Sequence, residues 1–177
     1  MPRPIEFNDY ITEGNITIIK LNHKPNILWA IIDTEDLPKL IDLEYRWCAR
    51  YRKYLDDYYV QCNTYFGGVH KTFTLHQFVL NYFEKSGIDH INGDTLDNRK
   101  SNLRISDKRQ NHQNRKSKNA NNKTGYRNVC FIKGKYVVTL QIDGKQKTLG
   151  RFDDVDKAGA FAEEMRQDHY KDWAGNN

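Results

Sequence analysis

Between residues 88 and 111 the chain reads IDHINGDTLDNRKSNLRISDKRQN, and this stretch concentrates the side chains with chemical capability. Asp89 and His90 are adjacent, Asn102 follows His90 by 12 positions, and Asn111 follows Asn102 by 9. An imidazole titrates near neutral pH, so His90 suits a general base that takes a proton from water while its other nitrogen donates to a carbonyl. The carboxylate of Asp89 and the carboxamide oxygen of Asn111 are hard donors, matched to a largely hydrated ion such as Mg2+ and not to zinc. Neighbours on a strand point to opposite faces, so Asp89 and His90 can serve one site only where the strand ends or bends. A loop rich in Gly, Asp and Asn begins there.

The elements that must hold these groups are short. Ile88 to Ile91 and Leu103 to Ile105 read as two brief strands around that loop, and Asp107 to Asn114 as a helix with Ser106 or Asp107 as its N-cap. Upstream, Asn15 to Lys20 and Ile27 to Ile32 read as strands, the second alternating at Ile27, Trp29 and Ile31. A short helix is expected over Leu37 to Leu43, a hairpin from Tyr45 to Tyr51 and Tyr58 to Tyr65, and a helix over Leu75 to Phe83. Trp29, Trp47 and the neighbouring tyrosines are expected in a core. His76, on the helix before the loop, reads as a packing or hydrogen-bonding residue, and Asp94 and Asp97 as turn formers able to reach an ion through water.

The arrangement Asp89-His90, Asn102 and Asn111, with the wording DHINGD, DNR, NLR and QN, resembles the motif of HNH endonucleases, in the variant of phage homing enzymes whose third member is Asn. The resemblance implies a ββα-metal nuclease that hydrolyses phosphodiester bonds of double-stranded DNA, with a possible single-strand nick. It gives His90 the role of base, Asp89 and Asn111 that of holding Mg2+, with Mn2+ able to substitute, and Asn102 a structural role in tying the loop that orients His90. If the register slips by one, His112 takes the place of Asn111. A DNA-binding regulator with a relic nuclease unit, and an RNA-directed protein, are the alternatives.

Charge supports a polyanion partner. The net charge is +5, yet from Arg104 to Arg151 there are 13 Lys or Arg against only Asp107 and Asp143, so the rest of the chain is acidic. Cations placed on phosphates release condensed counterions, which makes Arg104, Arg109, Arg115, Lys116, Lys118 and Lys123 candidates for DNA contact. Residues 117–124, poor in apolar side chains, are expected to be a basic linker. Beyond it, Val129 to Ile132, Tyr136 to Ile142 and Lys145 to Leu149 read as strands, the last two joined by Asp143-Gly144, and a helix capped by Asp153 or Asp154 follows. The carriers GYRNV, GKY, LGRFD and KDWA make residues 125–177 similar to the ethylene-response-factor type of DNA-binding domain known from the plant Apetala family, where a three-stranded sheet enters the major groove. By alternation Val138, Leu140 and Ile142 face the helix. Val137, Thr139 and Gln141 then face outward, with Arg127, Lys133, Lys135, Gln146 and Thr148 near that face. Cys130 and Ile132 stand where the plant family has arginines.

The expected whole is an α+β chain: a sheet-rich supporting unit (1–84), the nuclease motif (85–116), the linker and the DNA reader, acting as a monomer on DNA. A hydrophobic fraction of 38% with 11 Tyr, 8 Phe and 3 Trp supplies modest cores. No stretch approaches the roughly 18 apolar residues of a membrane span, and the N-terminus lacks a signal peptide's apolar region. The 3 cysteines form no CxxC pair, which fits a reducing cytoplasm.

Overall fold

The computed structural model describes residues 6–22, 25–53, 55–84, 87–107, 110, 113–114 and 121–175. The chain divides into two compact units, Met1–Ser106 and Asp107–Asn177.

The first unit opens with an antiparallel sheet of β1 (Tyr10–Glu13), β2 (Ile16–Asn22) and β3 (Ile27–Asp33). A 3-10 turn, Thr34–Asp36, leads into α1 (Leu37–Asp42). A second antiparallel sheet follows, β4 (Cys48–Arg52), β5 (Asp57–Phe66) and β6 (Val69–Thr74), then α2 (Leu75–Leu80). The unit closes with a two-stranded hairpin, β7 (Ile88–His90) against β8 (Leu103–Ile105).

One core serves all of this. Ile19, Leu21, Ala30, Ile32, Leu40, Trp47, Val60, Leu75 and Phe78 are buried together with Leu103 of β8, so the hairpin and the sheets upstream of it share an interior. Trp47 is in that core, but Trp29, expected there, is 42% exposed. The cause is register. β3 is apolar on both faces, and its partners in β2 decide which face is buried: Leu21 pairs Leu28 and Ile19 pairs Ala30, which turns Ile27, Trp29 and Ile31 to the other side. Helix α2 also ends earlier than its apolar spacing suggests. Asn81 takes the left-handed conformation at φ 51°, a conformation asparagine tolerates, and this closes the helix after Leu80. Phe83 then lies beyond the helix, packed edge-on against Phe73 and Phe78.

The second unit is a three-stranded antiparallel sheet, β9 (Val129–Ile132), β10 (Lys135–Ile142) and β11 (Lys145–Phe152), with α3 (Val155–Tyr170) on one face. Asp143 and Gly144 both sit at positive φ, 54° and 75°, as a type I′ two-residue turn requires. Val138 and Leu140 pack with Ala158, Ala162 and Tyr170 beneath the helix, and Ile142 joins them partly buried. Val137, on the opposite register, is nevertheless buried. Asp154 caps α3 by accepting from the Lys157 amide at 2.8 Å.

Of the helix expected over 107–114, residues 108, 109, 111 and 112 lie outside the described residues. Its start carries a reciprocal cap: Gln110 N donates to Asp107 Oδ1 at 2.7 Å and Asp107 N to Gln110 Oε1 at 2.9 Å. The end of the expected linker is built into the second unit, because Asn122 Nδ2 donates to Tyr126 O and Val129 O.

Candidate active site

The loop between β7 and β8 is fastened to the rest of the unit at three places. The first is the edge of β3: Ile31 N donates to Leu96 O at 2.9 Å and Asn98 N to Ile31 O at 2.7 Å, so the loop adds a short rung to that sheet. The second is Lys100, whose amide donates to Asp33 Oδ2 at 2.7 Å and whose ammonium pairs with Glu35 and Asp36. The third is Thr95, whose hydroxyl donates to Tyr58 O of β5.

Asn102 ties the loop internally. Its Nδ2 donates to Asp97 O at 2.8 Å and its Oδ1 accepts from Asn92 N at 2.9 Å, while its own carbonyl accepts from Ile91 N at 2.8 Å. Asp97, only 2% exposed, takes a forked pair of bonds from Arg99 at 2.8 and 2.6 Å and one from Asn92. Burial alone would raise its carboxyl, but the Arg99 and Asn92 bonds outweigh burial and hold it below the usual carboxylate range. Asp94 caps the turn through its bond from Leu96 N. Both aspartates therefore act as turn formers.

His90 ends β7, opposite Leu103, and is 4% exposed. Its Nε2 lies 3.4 Å from Asn98 Oδ1. His76 from α2 packs edge-on against it, ring centres 5.3 Å apart at 83°, and Tyr59 of β5 packs on both rings at 6.0 and 6.1 Å. Burial pulls the His90 imidazole below its ordinary value, against the opposing influence of Asn98 and of the carboxylates of Asp89, Asp94 and Asp57. Burial, with a smaller contribution from His90, drives His76 down to about 3. Both rings are neutral at physiological pH, the state in which an imidazole accepts a proton.

Asp89 lies beside His90 and across the hairpin from Arg104, whose Nε donates to Asp89 Oδ2 at 2.9 Å. Arg104, expected on DNA, is thus engaged with a carboxylate of its own hairpin, its side chain 16% exposed. Asn111 and its alternative His112 lie outside the described residues. Among the described residues no group of three His, Cys, Asp or Glu side chains is placed to hold an ion.

In the second unit, Thr139 pairs with Thr148 and Gln141 with Gln146, and all four share the face away from α3. Thr139, Gln141 and Gln146 line an open groove that also includes Asn122 and Asn128. Lys123 and Lys133 are exposed; Lys135 is exposed and pairs with Asp153. Arg127 departs from expectation. It is 8% exposed, with its guanidinium on the carbonyls of Ala174 at 3.3 Å and Gln113 at 3.0 Å. It precedes β9, so strand alternation never applied to it. Arg109, Arg115, Lys116 and Lys118 lie outside the described residues.

Sequence reasoning missed Asn98, Tyr59 and the closeness of His76 to His90. Nothing in local spacing announces them, because all three depend on contacts between separate elements.

A family model described as HNH endonuclease matches residues 82–113. That short segment spans β7, the tied loop and β8, and the match supports an HNH nuclease with DNA as the implied substrate. No curated protein and no solved structure matches the chain. Among the described residues no helix is long and apolar enough to cross a membrane.

Proposed function

We propose that the chain is a divalent-metal-dependent HNH endonuclease of the phage homing type, in the His-Asn-Asn variant, which hydrolyses phosphodiester bonds of double-stranded DNA. One motif per chain gives one nick per encounter, and the protein works as a monomer in the cytoplasm. The observation that carries this reading is His90: a buried, neutral imidazole at the end of a two-stranded hairpin, beside Asp89, with its loop tied by Asn102.

His90 takes the proton of the attacking water, and its depressed basicity keeps it ready to do so at neutral pH. Asn102 holds the loop that carries Asn98 and so maintains the surroundings of His90. Asp89, with Asn111, would hold Mg2+, and Mn2+ would substitute. The donor chemistry fits: the Asp89 carboxylate is a hard oxygen donor that already faces a cation, Arg104 Nε at 2.9 Å. Mg2+ characteristically uses one or two carboxylates and keeps several waters. When bound, such an ion neutralises charge on the phosphoryl group and the departing oxygen.

The second unit is the DNA reader, a domain of the ethylene-response-factor type. Its sheet face of Thr139, Thr148, Gln141 and Gln146 meets base edges while Lys123, Lys133 and Lys135 settle on phosphates. Three strands braced by one helix, with polar side chains on the open face, support this assignment.

Supercoiled plasmid incubated with the protein tests the whole reading. Mg2+ should convert it to nicked circles, chelation should stop the conversion, and His90→Ala should slow it by at least about 10²-fold, the usual contribution of a general base, with binding retained. Binding without cutting at a cognate site by the wild-type chain would leave a DNA-binding regulator instead.

A further inference from the structure

We infer that Asn98 is a positioning residue which fixes the tautomer of His90, placing the ring proton on Nε2 and the proton-accepting lone pair on Nδ1. The inference rests on the assignment of His90 as the base, and goes beyond it by naming which nitrogen does the work and what decides this.

The two ends of the Asn98 amide are told apart by their neighbours. One end faces the carbonyls of Leu96 at 3.0 Å and Thr95 at 3.3 Å, which can only accept, so that end is the NH2 group. Reversing the amide would set its oxygen against two carbonyl oxygens and forfeit both bonds. The other end, facing His90 Nε2 at 3.4 Å, is therefore Oδ1. An amide oxygen only accepts, so the bond exists only when Nε2 carries hydrogen. In a neutral imidazole the second nitrogen, Nδ1, is then the base.

Asn98 is held firmly enough to impose this choice. It is fully buried, and its backbone amide donates to Ile31 O at 2.7 Å on the edge of β3. A line of contacts thus runs from the first sheet through Ile31 and Asn98 to the His90 ring. His76 and Tyr59, packed edge-on against that ring, fix its plane. This gives the sheet upstream of the motif a catalytic purpose besides support, since its edge anchors the residue that selects the tautomer.

The test uses the full chain labelled with 15N in its histidines, His90 being assigned by comparison with His90→Ala. Long-range 1H–15N correlations above the ordinary imidazole range should show His90 Nε2 protonated and Nδ1 not. Asn98→Ala should mix the two tautomers and lower kcat for Mg2+-dependent plasmid nicking by about tenfold to hundredfold, with KM unchanged, as loss of an orienting partner typically does. Asn98→Asp keeps the oxygen that faces Nε2 but loses the two donor bonds to Leu96 O and Thr95 O, so it should keep the Nε2–H tautomer and more of kcat than the alanine variant at a cost in thermal stability. A wild-type ring protonated on Nδ1 overturns the inference, as does an alanine variant with unaltered tautomer and kcat. Should the alanine variant not fold, the wild-type spectrum and the aspartate variant decide the matter. A wild-type chain with the Nε2–H ring that nicks no DNA refutes the nuclease reading and not the hydrogen bond.

Discussion

His76 and His90 are two imidazoles pressed together in a place where neither is easily charged, and that has a consequence for stability as well as chemistry. His76 falls from an ordinary 6.5 to about 3 on folding, because burial excludes the water that would solvate a cation. A depressed value means that the unfolded chain binds a proton which the folded chain refuses. The neutral ring costs nothing above pH 6.5; below it, each step down in pH favours the unfolded state until about pH 3. The loss should amount to a few kcal/mol over that window, at about 1.4 kcal/mol per unit. Urea unfolding measured between pH 7 and pH 4 should show this decline, and His76→Gln should flatten it; an equally steep decline in the variant would show that other groups are responsible. Some of this residue-level picture was legible in the sequence. The placement of His90, Asp89 and Asn102 was legible because a strand, a turn-rich loop and a returning strand are local, and Asn102 ties the loop between residues close to it in sequence. That of Asn98 was not, since it depends on Ile31, and the ion pair of Arg104 was not foreseen, because a charge in a run of residues does not reveal the aspartate opposite it.

Elements were legible where a turn or a repeating pattern is chemically forced. Asp143-Gly144 marks a tight hairpin, and the structure adds two turns of the same kind, Gly67-Gly68 and Lys133-Gly134, both with positive φ at each central residue. Gly67-Gly68 was the available signal for β6, whose residues show no alternation because most of them are exposed. The face of β3, by contrast, was not readable from β3 at all, being set by Ile19 and Leu21 of the neighbouring strand. Helix α3 was recognised from its apolar spacing, but its close packing depends on a residue that spacing ignores. A Cβ added at Gly159 would fall 2.4 to 2.6 Å from three ring carbons of Tyr126, whose hydroxyl is held by Asp156 at 2.6 Å. Gly159→Ala should gain about 1 kcal/mol of helix propensity and lose about 1–3 kcal/mol through overpacking. Because the ring is tethered at its far end and cannot swing aside cheaply, overpacking should win. Thermal unfolding should show a lower Tm for Gly159→Ala and recovery in the double variant Gly159→Ala, Tyr126→Leu; a higher Tm in the single variant would mean that the ring moves freely.

At the scale of the molecule, the separation of charge along the chain implies a division of labour, and salt is the means of measuring it. The basic stretch from Arg104 to Arg151 carries most of the excess cations, but the structure removes some of them from the account: Arg104 is engaged with Asp89, and Arg127 is buried on carbonyls. Lys123 and Lys133 remain exposed in the second unit. For duplex DNA, the logarithm of the binding constant falls with the logarithm of salt by about 0.9 for each phosphate neutralised. In anisotropy titrations on a fixed duplex, Lys123→Gln and Lys133→Gln should each reduce that slope by about 0.9. Gln141→Ala should leave the slope intact and change only the preference among sequences, because an amide reads base edges and releases no counterion. Arg127→Gln should lower the thermal stability of the protein with little change in slope. If Arg127 proved to control the slope while the two lysines did not, the sheet face assigned to DNA would be the wrong one, whatever the nuclease unit does.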